Sequence, residues 1–429
     1  MEMSSDSLLG VPIDVFEQCI TPFFDVQSVV ALASSCDMYR QMLLKNNAFS
    51  VDLWQDLCKR QWKFAQFYER NHISESLEDN HWLVEYRRRD AADVETWKLM
   101  KDLGDVVDLD QNEELYSKIV ARGMDAMDVF QMKKGSIAWQ FDRMPKAIEQ
   151  GLVRFHICQK LRLEDNNVPL EYGAIWIVQY LFARFSDDPD TQTLDDGTEP
   201  ESYLMIQPRV ESELDALAKI LLQRLQRHRH VNQQGLVEDK FPLRLVLEEM
   251  KYLFDADHED RLKPGIHVPP FCGNTANYYS YHNSMIHTIL SKKNGIPITL
   301  GVIYSAIVRR ATGLQLQAVN LPGHFMISAN ADDAQESEQL FVDAFHSGKI
   351  MSESEVASMI TASYNIRWNQ NYLSTVPNTM VWKRIAMNLM NSFDLPNELY
   401  GPVTSLIAMG FNHNGVYDIR GENRLLLLI

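Results

Sequence analysis

The stretch that begins at Pro297 constrains this chain more than any other. Leu300, Val302, Ile303, Ala306 and Ile307 leave it apolar nearly all round between Gly295 and Gly313. A helix without a polar face must be enclosed by other elements. The spacing therefore predicts a central buried helix, started by Pro297, whose missing N–H costs nothing there, and ended at Gly313. Upstream, Asn283 or Ser284 is expected to cap a shorter helix that buries Met285, Ile286, Ile289 and Leu290. Lys292 and Lys293 would suit its negative end, and Gly295 would supply a left-handed stop. Downstream the period changes: 314–319 alternates, 323–327 is short and apolar, and 340–343 follows a polar acidic loop, which predicts strands against the helix.

Most of the remaining chain reads as helix. Trp82, Trp97, Trp139 and the run 175–182 supply buried faces, and the acidic, turn-rich segment 186–201 reads as a solvated loop. Val210, Leu214, Leu217 and Leu221 recur at helical spacing before a basic end at Arg224, Arg227 and Arg229, which suits the helix dipole. Beyond residue 375, residues 380–390 and 399–409 predict a helical pair around a turn at Leu395-Pro396. The first 60 or so residues are short amphipathic stretches broken by Pro12, Pro22 and Asp25, a three-helix pattern. One helix is expected to open over 8–16, with Pro12 in its first turn and Asp14 near its positive end. A second follows Asp25 through Val29, Val30, Leu32 and Cys36, and Leu53-Trp54 closes the unit. So small a unit buries little by itself, so Leu9, Val11, Pro12, Ile13 and Phe16 are expected to face a partner.

Composition narrows the function. A formal net charge of −17 and a pI near 5.2 oppose binding to phosphate backbones or anionic membranes, which needs clustered Lys and Arg. The five cysteines, Cys19, Cys36, Cys58, Cys158 and Cys272, are widely spaced without a CxxC pair, so neither a disulfide framework nor a zinc ribbon is expected. Glu2, Asp6 and Asp14 stand where a signal peptide wants basic residues, and no apolar run approaches the roughly 18 residues of a span. The expected setting is intracellular, cytoplasmic or nuclear, with neither membrane nor nucleic acid as partner. His228 and His230 lie two apart, His282 and His287 five apart, and no HExxH motif completes a site, so no metal and no cofactor is expected.

Two resemblances organise these readings. Val11-Pro12, Asp14-Val15, Asp25-Val26, Cys36, Tyr39-Arg40 and Leu53-Trp54 occur in the order of the F-box, which this N-terminus resembles. The resemblance implies a Skp adaptor as partner and, through it, cullin and RING subunits. Leu9, Val11, Pro12, Ile13, Val15, Phe16 and Ile20 would form the adaptor face, in an interface on the order of 2,000 Å².

Asn283-Ser284, Lys293-Asn-Gly295-Ile-Pro297-Ile, Leu321-Pro322-Gly323-His324-Phe325 and Phe341-Val342-Asp343-Ala-Phe345 resemble the SirB family, which carries a transglutaminase-like core of papain-like architecture. The match covers roughly residues 160 to 360, and the end of the chain is similar to the tetratricopeptide-like tail of SirB relatives. An F-box followed by this core is the domain order of the F-box only protein 21 family. Longer members of that family carry a further domain resembling a hemimethylated-DNA-binding protein, to which nothing here corresponds.

The resemblance implies a thiolate at the start of the central helix, a His on the first facing strand and an Asp that orients it. His324 and Asp343 match the last two, while residues 295–301 contain no cysteine. Cys272 precedes a whole helix, and Thr299 reads as a helix residue bonding its own backbone. Catalysis is therefore not expected. His324 and Asp343 either line a substrate cleft with Asn283 and Pro297 or serve as structural hydrogen-bonding residues, and both readings expect the two to be bonded to each other.

The expected fold is mostly helical α+β: a three-helix F-box (1–62), a helical linker region (63–159), a helical subdomain (160–250), the transglutaminase-like core (251–360) and a helical tail (375–429). The expected function is substrate recognition in an SCF-type ubiquitin ligase. The alternatives are a papain-like cysteine transferase or amidase with a non-standard nucleophile, and a SirB-like protein whose N-terminus binds some other partner.

Overall fold

A computed structural model describes residues 7–8, 11–12, 25–35, 37–44, 48–62, 81–105, 109–139, 144–162, 168–183, 203–228, 241–262, 267–330, 339–364 and 367–411. Met1–His156 and Ile157–Asp418 form separate compact units.

The described residues at the start of the expected first helix are extended, not helical. Ser7–Leu8 (β1) and Val11–Pro12 (β2) pair as an antiparallel ladder. Proline biases the residue before it towards extended backbone, and Pro12 has no N–H to give a helix, so the competing preference wins at Val11. Leu9, Ile13, Val15, Phe16 and Ile20 lie outside the described residues, as does Cys36. The next helix, α1 (Val26–Ser35), starts where the sequence places it, because the Asp25 carboxylate accepts from the Ser28 backbone N–H at 2.7 Å and from its hydroxyl at 2.6 Å. Those two hydrogen bonds hold Asp25 below the usual carboxylate range, as expected of an N-cap at a positive helix end.

Helices α2 (Asp37–Leu44), α3 (Ala48–Gln61) and α4 (His81–Asp105) complete the first core. Val29, Ala33, Tyr39, Leu43, Leu53, Trp54, Leu57, Cys58, Trp62 and Tyr86 are buried together. Trp54 satisfies its indole N–H on the Leu43 carbonyl at 2.8 Å, and Trp62 does so on Asp93 at 2.7 Å, with the Arg89 guanidinium over its ring. Tyr86 of α4 wedges between the two indoles. Helices α5 (Leu109–Val120), α6 (Met124–Lys133) and α7 (Met144–Arg162) follow. Trp82, Trp97 and Trp139 are half-buried rather than core.

The second unit is built around two apolar helices. In α8 (Leu170–Phe182) every described residue from Gly173 to Phe182 is buried, and so is α12 (Pro297–Thr312) from Pro297 to Val308. Pro297 occupies the first turn of α12, and Gly313 caps it at φ 77°. Around them pack α9 (Tyr203–Gln226), α10 (Leu243–Phe254), α11 (Ile286–Lys292), α14 (Asn378–Met390) and α15 (Asn397–Phe411). Trp382 of α14 fills a notch over Gly173, where a β-carbon would lie 2.2 Å from the indole, and its N–H reaches the Leu170 carbonyl at 2.9 Å. The basic end of α9 is exposed at Arg227 and His228, but not at Arg224. Arg224 is buried, paired with Glu249 at 2.7 Å and Asp260 at 2.5 Å, and its guanidinium lies over Tyr252.

One four-stranded antiparallel sheet, β5 (Gln317–Val319), β6 (Met326–Asn330), β7 (Gln339–Asp343) and β8 (Lys349–Met351), lies in sequence order, with α13 (Glu353–Tyr364) against β7. Strand β6 starts three residues later than expected, so Gly323, His324 and Phe325 precede it. A two-residue parallel pair, β3 (Cys272–Gly273) with β4 (Asn294–Gly295), leads directly into α12. This pairing explains a further departure. The left-handed residue after α11 is Lys293 at φ 55°, because Gly295 is committed to the ladder. Its lack of a side chain serves packing instead, since a β-carbon there would stand 3.1 Å from Ile289.

Candidate functional site

The residues expected to carry chemistry meet where the sheet reaches the start of α12. Gly301, in the second turn of that helix, lets Phe325 approach so closely that a β-carbon would lie 2.6 Å from its ring. The preceding residue, His324, follows a turn whose Gly323 adopts φ 71°. Arg384 of α14 anchors that turn by donating to the His324 carbonyl at 2.9 Å and to the side chain of Asn320. Nothing in the sequence pattern around 380–390 distinguishes Arg384 from an ordinary exposed helix cation.

Asp343 ends β7. Its Oδ1 accepts the backbone N–H groups of Phe345 at 3.1 Å and His346 at 3.2 Å, the local turn typical of aspartate. Its Oδ2 meets His324 Nε2 at 2.9 Å and His346 Nδ1 at 2.8 Å. The pairing of His324 with Asp343 is the one the sequence leads us to expect. His346 was not expected. Burial by itself would raise the Asp343 pKa, but the hydrogen bonds and charges of the two imidazoles outweigh it and hold the carboxylate far below its usual range. His346 is raised in turn by its bond to Asp343, with burial working against it. His324 and Asp343 are both nearly sealed from solvent, whereas the His346 side chain is 61% exposed. Phe345 stands beside both rings.

The other expected residues serve the scaffold. Asn283 caps no helix. Its amide donates to the carbonyls of Asn277 at 2.6 Å and Tyr278 at 3.0 Å, and its Oδ1 accepts from Asn274 at 2.9 Å, so it braces the loop that crosses the start of α12. Met285 is the residue that precedes α11 instead, after a 3₁₀ turn at Tyr281–Ser284. Thr299 is fully buried and donates to the Asn283 carbonyl at 2.7 Å and to Ile296 at 3.2 Å. Pro297 is buried in the first turn of α12.

Cys272 is exposed and lies beside β4. Neighbouring strand residues point to opposite faces. A β-carbon on Gly273 would meet the Phe345 ring and carbonyl at 2.7 Å, so Gly273 faces the His324 and Asp343 side and the Cys272 thiol faces away. Its sulfur lies 3.7 Å from the Pro270 carbonyl.

Other expected ligands are apart. His228 pairs with Glu249 at 2.7 Å, and His230 lies outside the described residues. His282 packs on Tyr281, and His287 meets Phe182 edge-on. One cavity of about 450 Å³ is lined by Glu171, Ser305, Arg309 and Asn378 among others, and by none of the four residues expected to line a cleft.

Comparison with known proteins agrees with this architecture. F-box only protein 21 of Homo sapiens is 31% identical over 119 residues, 27% of this chain and 17% of that protein. The same protein of Pongo abelii matches equally, so the matched stretch spans about a sixth of these curated relatives. A UPF0162 protein of Xylella fastidiosa is 28% identical over 124 residues, 28% of this chain and 42% of its own length. No solved structure matches. No helix among the described residues is long and apolar enough to cross a membrane. Residues 208–387 match the transglutaminase-like superfamily, and this chain is accordingly a mostly helical α+β protein with a transglutaminase-like domain.

Proposed function

We propose that this chain is the substrate-recognition subunit of an SCF-type ubiquitin ligase, binding a Skp adaptor through its N-terminus and a target protein through the transglutaminase-like region. One observation carries the reading. A small helical cluster with Asp25, Val26, Tyr39, Leu53 and Trp54 in F-box order shares a chain with a transglutaminase-like domain, and the chain is similar to F-box only protein 21.

The transglutaminase-like region is read as non-catalytic, the ligase chemistry lying in other subunits. Two features support this: residues 295–301 offer only the Thr299 hydroxyl, held by two carbonyls, and the Cys272 thiol is turned from His324. Nucleophilic catalysis needs the nucleophile within hydrogen-bond reach of its base.

The test is co-purification of the full chain with a Skp adaptor. Equimolar binding is expected, and Pro12→Asp together with Phe16→Asp should weaken it by more than about 30-fold, the scale of losing an interface hot spot. Undiminished binding by that variant, or no adaptor bound to the parent, rejects the reading. Proteins captured from extract equally well by a chain lacking residues 1–62 are the candidate targets.

A further inference from the structure

The geometry points to a site for one divalent transition-metal ion held by His324 Nε2, Asp343 Oδ2 and His346 Nδ1. It goes beyond the adaptor reading and stands independently of it. It also departs from the sequence expectation of no metal, because His346 joins the pair only through the turn after β7.

Three side chains, from the turn before β6, the end of β7 and the turn after it, each present one donor atom, and the three lie within 4.8 Å of one another. Asp343 Oδ2 stands 2.9 Å and 2.8 Å from the two imidazole nitrogens. Ligands at about 2.1 Å from a metal and at right angles to each other are separated by about 3 Å, so both edges already suit one ion. The largely exposed His346 ring has room to adjust the remaining edge.

The surroundings are those of a prepared site. Asp343 is fixed by two backbone N–H groups on Oδ1, which leaves Oδ2 aimed at both rings, and His324 is held by a turn that Arg384 pins from α14. Such outer contacts fix the orientation of metal ligands. Lys349, opposite Asp343 in the β7–β8 register, is exposed, so water screens its charge. Two imidazoles and a carboxylate select Zn²⁺, Co²⁺ or Ni²⁺ over Mg²⁺ and Ca²⁺, which demand oxygen ligands. The open side next to His346 gives the ion an entry path and leaves coordination positions for water or a ligand.

The experiment is titration of the chelator-stripped full chain with Co²⁺ and Zn²⁺, read by the visible absorption of Co²⁺ and by calorimetry. One ion per chain is expected, with Mg²⁺ unable to compete. His346→Ala, at an exposed position that leaves the fold intact, should weaken Co²⁺ binding by more than about 100-fold, beyond the roughly 10–100-fold cost of losing an outer partner. His228→Ala, at a different histidine of the same unit, should leave it unchanged. Absence of stoichiometric binding, or binding that survives His346→Ala, overturns the proposal and identifies the three groups as a hydrogen-bonded network alone.

Discussion

Asp93 shows how one residue's environment sets a pH response. Its carboxylate accepts the Trp62 indole N–H at 2.7 Å, yet burial pushes its pKa up to about 6, with the Trp62 bond and Arg89 working against it. A carboxyl raised in the fold ionises first in the unfolded chain, so its contribution to stability falls as pH rises through about 6. Asp93→Asn keeps an acceptor for Trp62 and removes the charge. At neutral pH it should stabilise the chain by about 1 kcal/mol, after discounting for solvent screening. The gap should close as pH falls below 6 towards the 3.8 of an ordinary aspartate. Urea unfolding at several pH values checks this, and a variant less stable than the parent at neutral pH contradicts it. Residue-scale legibility was uneven for a physical reason. His324 and Asp343 could be read because each lies in a motif that carries the resemblance, whereas His346 matters only through the three-residue turn after Asp343 and Arg384 only through a helix from a distant segment.

At the scale of elements, α12 was legible from end to end, because Pro297 and Gly313 mark local backbone requirements that no tertiary contact overrides. The start of the chain was not, since Pro12 favours a helix's first turn and an extended predecessor equally well. Strand β8 escaped notice because Lys349–Met351 is too short to show a period. Nor could Gly295 be assigned from its neighbours, as its partner strand lies more than twenty residues upstream. That pairing predicts a sensitive position. Gly273→Ala drives a methyl group against the Phe345 carbonyl as well as its ring, and a backbone atom cannot swing aside. Overpacking of this kind costs about 1–3 kcal/mol. Gly135→Ala, with open space around it, should change stability by less than about 0.5 kcal/mol. Equal denaturation midpoints for the two variants would show that β3 yields more easily than this packing allows.

For the whole molecule, the mostly helical α+β class followed from patterning, while the union of segments far apart in the chain did not. The second unit is closed by Trp382, seated over Gly173 and bonded to Leu170, with Trp176 edge-on against it. A chain stopped after Pro377 lacks that lid and leaves Gly173 and Trp176 without the Trp382 ring that covers them. It should be insoluble or lose its near-ultraviolet circular dichroism, and a cooperatively unfolding product would contradict this. The same contact governs the order of biosynthesis. Because α8 and α14 are separated by about two hundred residues, loop closure must precede any stabilisation it brings. During translation, the apolar surface of α8 emerges long before the residue that will cover it, so the nascent chain carries that surface without its Trp382 lid while about two hundred further residues are made.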